Sequence, residues 1–167
     1  MEKRAAACLA LLVASLLIVE AQTVFDKKLK TLYRNTVPII MPNELSALID
    51  SGAPVVMMDI RSTEEYKISH IRNAIFVDYD SFNTRMVEKL NEESTIIVYC
   101  SVGYRSERVG EKLKFAGYKN VKNLYGGIFQ WVNEGHPVVN RKNHLTDSVH
   151  TYNRNWSQWL TNGIKVY

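Results

Sequence analysis

Cysteine is nearly absent from this chain: its 167 residues hold two, Cys8 and Cys100. With Cys8 inside an N-terminal apolar segment, Cys100 is the one thiol in the body of the chain and has no internal disulfide partner. Histidine is also sparse, and His136, His144 and His150 have neither ligand spacing nor cysteine partners, so no metal site is expected. Basic residues are not clustered. The formal net charge of +4 is scattered, which suits solubility and argues against a nucleic-acid partner. Repeats and low-complexity stretches are missing too. The apolar run from Ala5 to Val19 is 15 residues, short of the roughly 20 that cross a bilayer.

That run has the length of a secretory signal core. Met1-Glu2-Lys3-Arg4 supplies a charged start, and Val19-Glu20-Ala21 offers small residues where a signal peptidase reads. Residues 1–21 are therefore expected to be a signal peptide, the protein to be exported (periplasmic or secreted), and no stable membrane insertion to follow cleavage. An uncleaved N-terminal anchor is the alternative. Cleavage removes two basic and two acidic side chains, so the charge does not change.

The remaining chain is the size of one ordinary domain. After a polar lead-in over residues 22–36, strand-like and helix-like stretches alternate. Val37 to Ile40 reads as a strand, with Pro38 suggesting an edge; Pro42 opens a helix that stops near Gly52. The run from Pro54 to Ile60 is apolar throughout, as in a strand buried on both faces. A short capped helix at Thr63–Tyr66 and a strand at Ala74–Val77 follow. Ser81 to Leu90 has helical spacing, with Phe82, Met86 and Leu90 inward. Thr95–Tyr99, a helix over Arg105–Ala116, a strand at Val121–Leu124 and a short helix through Trp131 complete the series. Alternation of this kind predicts an α/β fold with a mainly parallel sheet. Residues 140–167 form a C-terminal extension in which Tyr152, Trp156, Trp159 and Leu160 recur at helical spacing, predicting a helix packed on the domain.

Chemistry concentrates in Tyr99-Cys100-Ser101-Val102-Gly103-Tyr104-Arg105. Cys100 ends a buried strand and a helix starts about five residues on. Ligands bind at that edge of open α/β sheets. Loop amides and the positive end of the next helix make an anion cradle there and favour a thiolate. Gly103 lets the loop curl with its amides inward. Arg105 adds positive charge for an anion, or else forms a helix-surface salt bridge.

Three motifs carry a resemblance. Asp59-Ile60-Arg61, Glu65-Tyr66 and His70-Ile71-Arg72-Asn73-Ala74 resemble the opening signature of the rhodanese domain. Ile97 to Ser106 resembles its active-site strand and loop. Leu124-Tyr125-Gly126-Gly127 through Trp131, with Gly135-His136-Pro137-Val138, resembles its closing signature. The match covers residues 37–139. The resemblance implies a rhodanese-like domain: a central, mainly parallel five-stranded sheet flanked by helices on both faces. It also implies a sulfurtransferase in which Cys100 takes sulfane sulfur from a small sulfur-containing anion and passes it to a thiol or cyanide. The amides of Ser101, Val102, Gly103, Tyr104 and Arg105 would hold the persulfide, and Asp59 and Arg61 would brace the loop. No metal or organic cofactor is implied.

Three residues depart from the pattern. Ser69 replaces the glycine before His-Ile. Ser101 stands where members that use thiosulfate carry arginine, so a persulfide or polysulfide donor competes with thiosulfate. Tyr104 is expected to narrow the mouth. A phosphatase or arsenate reductase on the same scaffold places arginine six residues after the cysteine, whereas Arg105 follows Cys100 by five. A non-catalytic binding or redox-sensing module is the rival from another class.

Overall fold

The computed structural model describes residues 24–167; the expected signal peptide, residues 1–21, lies outside them. The chain divides between Leu32 and Tyr33 into two compact units. In the first, residues 24–32 form helix α1, so part of the polar lead-in is helical.

The second unit is built on a parallel sheet. Its strands are β1 (Ile39–Ile40), β2 (Val55–Asp59), β3 (Ile75–Phe76), β4 (Thr95–Tyr99) and β5 (Asn120–Leu124), in the order β1-β5-β4-β2-β3. β1 lies at the edge that Pro38 suggested. Helices α2 (Pro42–Asp50), α3 (Thr63–Ile68), α4 (Tyr104–Phe115) and α5 (Gly127–Asn133) flank the sheet.

Side chains alternate across a strand, and β4 buries both sets. Ile96, Val98 and Cys100 share one core with Val109 and Leu113 of α4, Met58 and Ile60 of the β2 segment, and Val121 of β5. Ile97 and Tyr99 point the other way and are also fully buried. Two covered faces explain the unbroken apolar runs of β2 and β4. The β2–β4 register pairs Asp59 with Tyr99, so both strands end level and deliver their next residues to one edge.

Two expected helices are absent. Between Ser81 and Leu90 there is one 3-10 turn at Thr84–Val87, and Met86 is exposed instead of inward. The Asn83 carboxamide accepts from the Arg85 amide and caps that turn, while Val87 supplies the buried contact. The C-terminal extension is not helical. It holds β7 (Leu145–Thr146), antiparallel to β6 (Val138–Val139) just before it, β8 (Ser148–His150) parallel to β9 (Ile164–Val166), and a 3-10 turn at Ser157–Trp159. Turn chemistry overrides the helical spacing here. Asn143, Tyr152 and Gly163 have positive φ, and the Asn153 side chain accepts from the amides of Asn155 and Trp156. The extension is nevertheless packed: Val149, Thr151 and Leu160 are buried, and β8 lies against α3.

Candidate active site

Cys100 follows directly on β4, at the carboxyl edge of the sheet, and its side chain enters the core under α4. The residue is 1% exposed and its thiol is free. The chain then curls through Ser101 and Val102 to Gly103, which has φ +92° and caps the start of α4. This turn brings the Gly103 amide back onto Cys100 Sγ at 3.2 Å. A side chain at Gly103 would meet the Tyr33 ring as well as a strained φ.

The Gly103 amide faces the sulfur, and the loop's carbonyls are all held by other groups. The Cys100 carbonyl accepts from Ile128 N at 2.9 Å, and the Ser101 carbonyl from Phe129 N at 3.1 Å, both in the first turn of α5. Tyr33 Oη donates to the Val102 carbonyl at 2.8 Å and accepts from Gly126 N at 2.9 Å. Asn123 Nδ2 donates to the Gly103 carbonyl at 2.9 Å, while its Oδ1 accepts from Ser106 Oγ at 2.7 Å. Gly127 is needed for this approach, since a Cβ there would collide with the Cys100 carbonyl oxygen. Four consecutive carbonyls are thus bonded to other groups, that of Gly103 also accepting from Glu107 N within α4, and the first-turn amides of α4 are donors that no helical carbonyl can reach. Burial keeps the Tyr33 hydroxyl protonated, with its pKa well above the usual range, so it remains a donor.

Arg105 is not a bare cation. Its guanidinium donates to both Glu65 oxygens, at 2.9 and 2.8 Å, and to Ser101 Oγ at 3.0 Å. Ser101 Oγ in turn donates to Glu65 Oε1 at 2.6 Å. Burial opposes the charge on Glu65, yet the Arg105 hydrogen bonds and charge, with Arg61 and Ser101, hold its pKa near 2. Glu65 is the functional residue that sequence reasoning missed. Its visible signal is the capping box Ser62-x-x-Glu65, where Ser62 N donates to Glu65 Oε2 and Glu65 N to Ser62 Oγ. Nothing in that motif points to a partner forty residues away.

Asp59 and Arg61 are fully buried and paired to each other, with Arg61 Nε donating to Asp59 Oδ1 at 2.9 Å and Nη2 to Oδ2 at 2.7 Å. Arg61 Nη2 also donates to the Ser69 carbonyl. The expected brace on the loop is instead a brace on the Ser69–His70 turn, because Asp59 is in register with Tyr99 and so points away from the Cys100 face. His70 exchanges backbone hydrogen bonds with Val139, and its ring stacks on Tyr66 at 3.9 Å. Burial lowers its pKa, in keeping with a structural histidine. Tyr104 lies exposed under the Arg108 guanidinium, 5.0 Å from it, and so is turned along α4. Tyr152, from the extension, instead has its ring 5.4 Å from the Arg105 guanidinium. Among the described residues no group of three or more His, Cys, Asp or Glu could hold a metal ion, and no helix is long and apolar enough to cross a membrane.

A buried thiol at a strand end, with the Gly103 amide on its sulfur and a helix following, agrees with what the sequence matches. Residues 41–134, more than half the chain, match the family described as "Rhodanese-like domain". The chain belongs to the rhodanese-like family. One relative is the probable adenylyltransferase/sulfurtransferase MoeZ of Mycobacterium tuberculosis, 32% identical over 99 residues, which are 59% of this chain and 25% of that protein. Another is the tRNA uridine(34) hydroxylase of Leptospira interrogans, 37% identical over 84 residues, 47% of this chain and 23% of that protein. The matched rhodanese-like stretch therefore spans about a quarter of these curated relatives. Among solved structures, the thiosulfate sulfurtransferase of Pseudomonas aeruginosa aligns with TM-score 0.58 at 27% identity, covering 62% of this chain and 20% of that one. In this rhodanese-like protein the family match stops at residue 134, so the strands of the extension and Tyr152 lie beyond it.

Proposed function

We propose that this protein is a sulfurtransferase in which Cys100 carries sulfane sulfur as a persulfide. The observation that carries this reading is the Gly103 amide on Cys100 Sγ, in a loop whose Cys100, Ser101, Val102 and Gly103 carbonyls are all bonded to other groups. Such a cradle stabilises an anionic sulfur before the reaction begins, and the Arg105 guanidinium, which interacts with Cys100 as well as with Glu65, adds positive charge to it. The Cys100 thiolate attacks the outer sulfur of a donor; a new S–S bond forms, and the donor's own bond to that sulfur breaks with its electron pair leaving on the remainder. A thiol or cyanide then attacks the outer sulfur of the persulfide and returns Cys100 as thiolate. Oxidation states balance between donor and acceptor, so no redox cofactor enters.

Two features support a small terminal sulfur as cargo. Cys100 is 1% exposed, which admits a narrow group. The arginine falls five residues after the cysteine, a shorter loop than a phosphate-enclosing one. The donor is thiosulfate or a per- or polysulfide. The basic start and apolar run of residues 1–21 support work in an exported compartment, which the N-terminal mass of the native protein checks. Incubation with a sulfane donor should add the mass of one sulfur to Cys100. Cys100→Ser should abolish both adduct and turnover while leaving the melting curve in place; a fully active Cys100→Ser protein refutes the mechanism.

A further inference from the structure

The C-terminal extension places one aromatic ring beside Arg105, next to the Cys100 loop, and it does so at a cost to its backbone. Tyr152 has φ +63°, a conformation that non-glycine residues seldom adopt and that tends to persist where the surroundings enforce it. The enforcement is visible on both sides. Thr151, fully buried, donates from its amide (2.8 Å) and hydroxyl (3.2 Å) to the Val166 carbonyl of β9. The Tyr152 amide donates to His150 Nδ1 at 3.1 Å, and Asn153 N donates to the Thr151 carbonyl at 2.7 Å. β8 packs against α3, the helix that carries Glu65. All this fixing leaves Tyr152 56% exposed, with its ring over the Arg105 guanidinium. A ring so held and still open to solvent is a platform for a ligand more than a core contact.

The charge at the mouth bears on which ligand. Arg105 and Glu65 form a bidentate pair whose charges cancel. The Arg105 charge is thus shared between the Glu65 carboxylate and the Cys100 sulfur, so a small dianion meets no surplus cation from this pair, while an organic group meets an aromatic face. We propose that Tyr152 is a specificity-determining residue whose ring receives the organic part of an alkyl persulfide, making R–S–SH the preferred donor class over thiosulfate. This rests on the sulfur-transfer reading of Cys100. The step is balanced: the Cys100 thiolate and R–S–SH give Cys100–S–SH and R–S⁻. The S–S bond of the donor breaks as the new one forms, the proton stays with the transferred sulfur, and no further oxidant or reductant takes part.

The test is single-turnover loading of Cys100 in the full chain, followed by intact mass, with glutathione persulfide and with thiosulfate as probes. Wild type should load faster with glutathione persulfide. Tyr152→Ala should slow that donor roughly tenfold and leave thiosulfate within about twofold. Tyr152→Phe, which keeps the ring, should retain the wild-type ratio. Tyr152→Gly, which accepts the positive φ without strain, should show the same selective loss as the alanine variant and guards against misfolding. A ratio unchanged in the alanine and glycine variants, a wild type that prefers thiosulfate, or a phenylalanine variant that behaves like alanine overturns the role of the ring. Failure of the wild type to load from either donor overturns the sulfur-transfer reading itself, which is a separate result.

Discussion

Two carboxylate–guanidinium pairs stand near the carboxyl edge of this sheet, and they differ in nearly everything but chemistry. Asp59 and Arg61 are two residues apart, both wholly buried, and turned to the face opposite Cys100. Glu65 and Arg105 are forty residues apart; the arginine side chain is 19% exposed, and Ser101 of the sulfur loop bridges them. The first pair bonds within itself and to the Ser69 carbonyl, with Arg61 Nη1 left buried without a partner among the described residues. The second is partly open to solvent and tied to the Cys100 loop through Ser101. Identical functional groups thus act as a structural pin in one place and as the charge balance of a mouth in the other. Burial and partners make that difference.

Breaking the inner pair should have the largest effect. Arg61→Ala leaves the Asp59 carboxylate buried without its partner, and a loss of about 3–5 kcal/mol is expected in chemical denaturation. Wild-type stability in that variant would refute the pin. The outer pair should respond to acid. The Glu65 pKa near 2 lies below the ordinary 4.5. Its stabilisation is therefore complete above the ordinary value and is lost as pH falls from there toward about 2. On the order of 3 kcal/mol is at stake over that window, and Glu65→Gln should remove this part of the pH dependence. Equal acid sensitivity of variant and wild type would assign the window to other groups.

Glu65→Gln also leaves the Arg105 charge uncancelled. The KM for thiosulfate should fall several-fold, on the order of 1 kcal/mol, with little change for an uncharged acceptor; an unaltered KM would break the charge-balance half of the comparison. Ser101→Ala, which removes one hydroxyl bridge while the bidentate pair persists, should cost about 1 kcal/mol or less by thermal melting. A larger loss would mean that the bridge, and not the pair, holds the mouth.

Much of the frame was legible in the chain. The apolar runs at Pro54–Ile60 and Thr95–Tyr99 read as strands because burial on both faces leaves no polar alternation to blur them. The sulfur loop read correctly in position and length, since a strand, a glycine and a helix start are all local signals. The segment from Ser81 to Leu90 misled because its spacing was helical while Asn83 capped only one turn. The extension misled for a related reason: Tyr152, Trp156, Trp159 and Leu160 share a helical spacing, but asparagine side chains take over the backbone. Asn133 from α5, for instance, donates to the Trp159 carbonyl and accepts from the amides of Thr161 and Asn162.

What the sequence determined by itself was therefore whatever depends on neighbours in the chain: the order of the five sheet strands, the thiol at a strand end, and the five-residue step from Cys100 to Arg105. Only the tertiary structure decided which groups hold the loop around Cys100. Tyr33 on the Val102 carbonyl, Asn123 on that of Gly103, α5 on those of Cys100 and Ser101, Glu65 on Arg105 and Tyr152 over it each come from a distant part of the chain. A parallel sheet with crossover connections gathers its strand ends at one edge. Residues far apart in sequence become neighbours there, and no local pattern records the meeting.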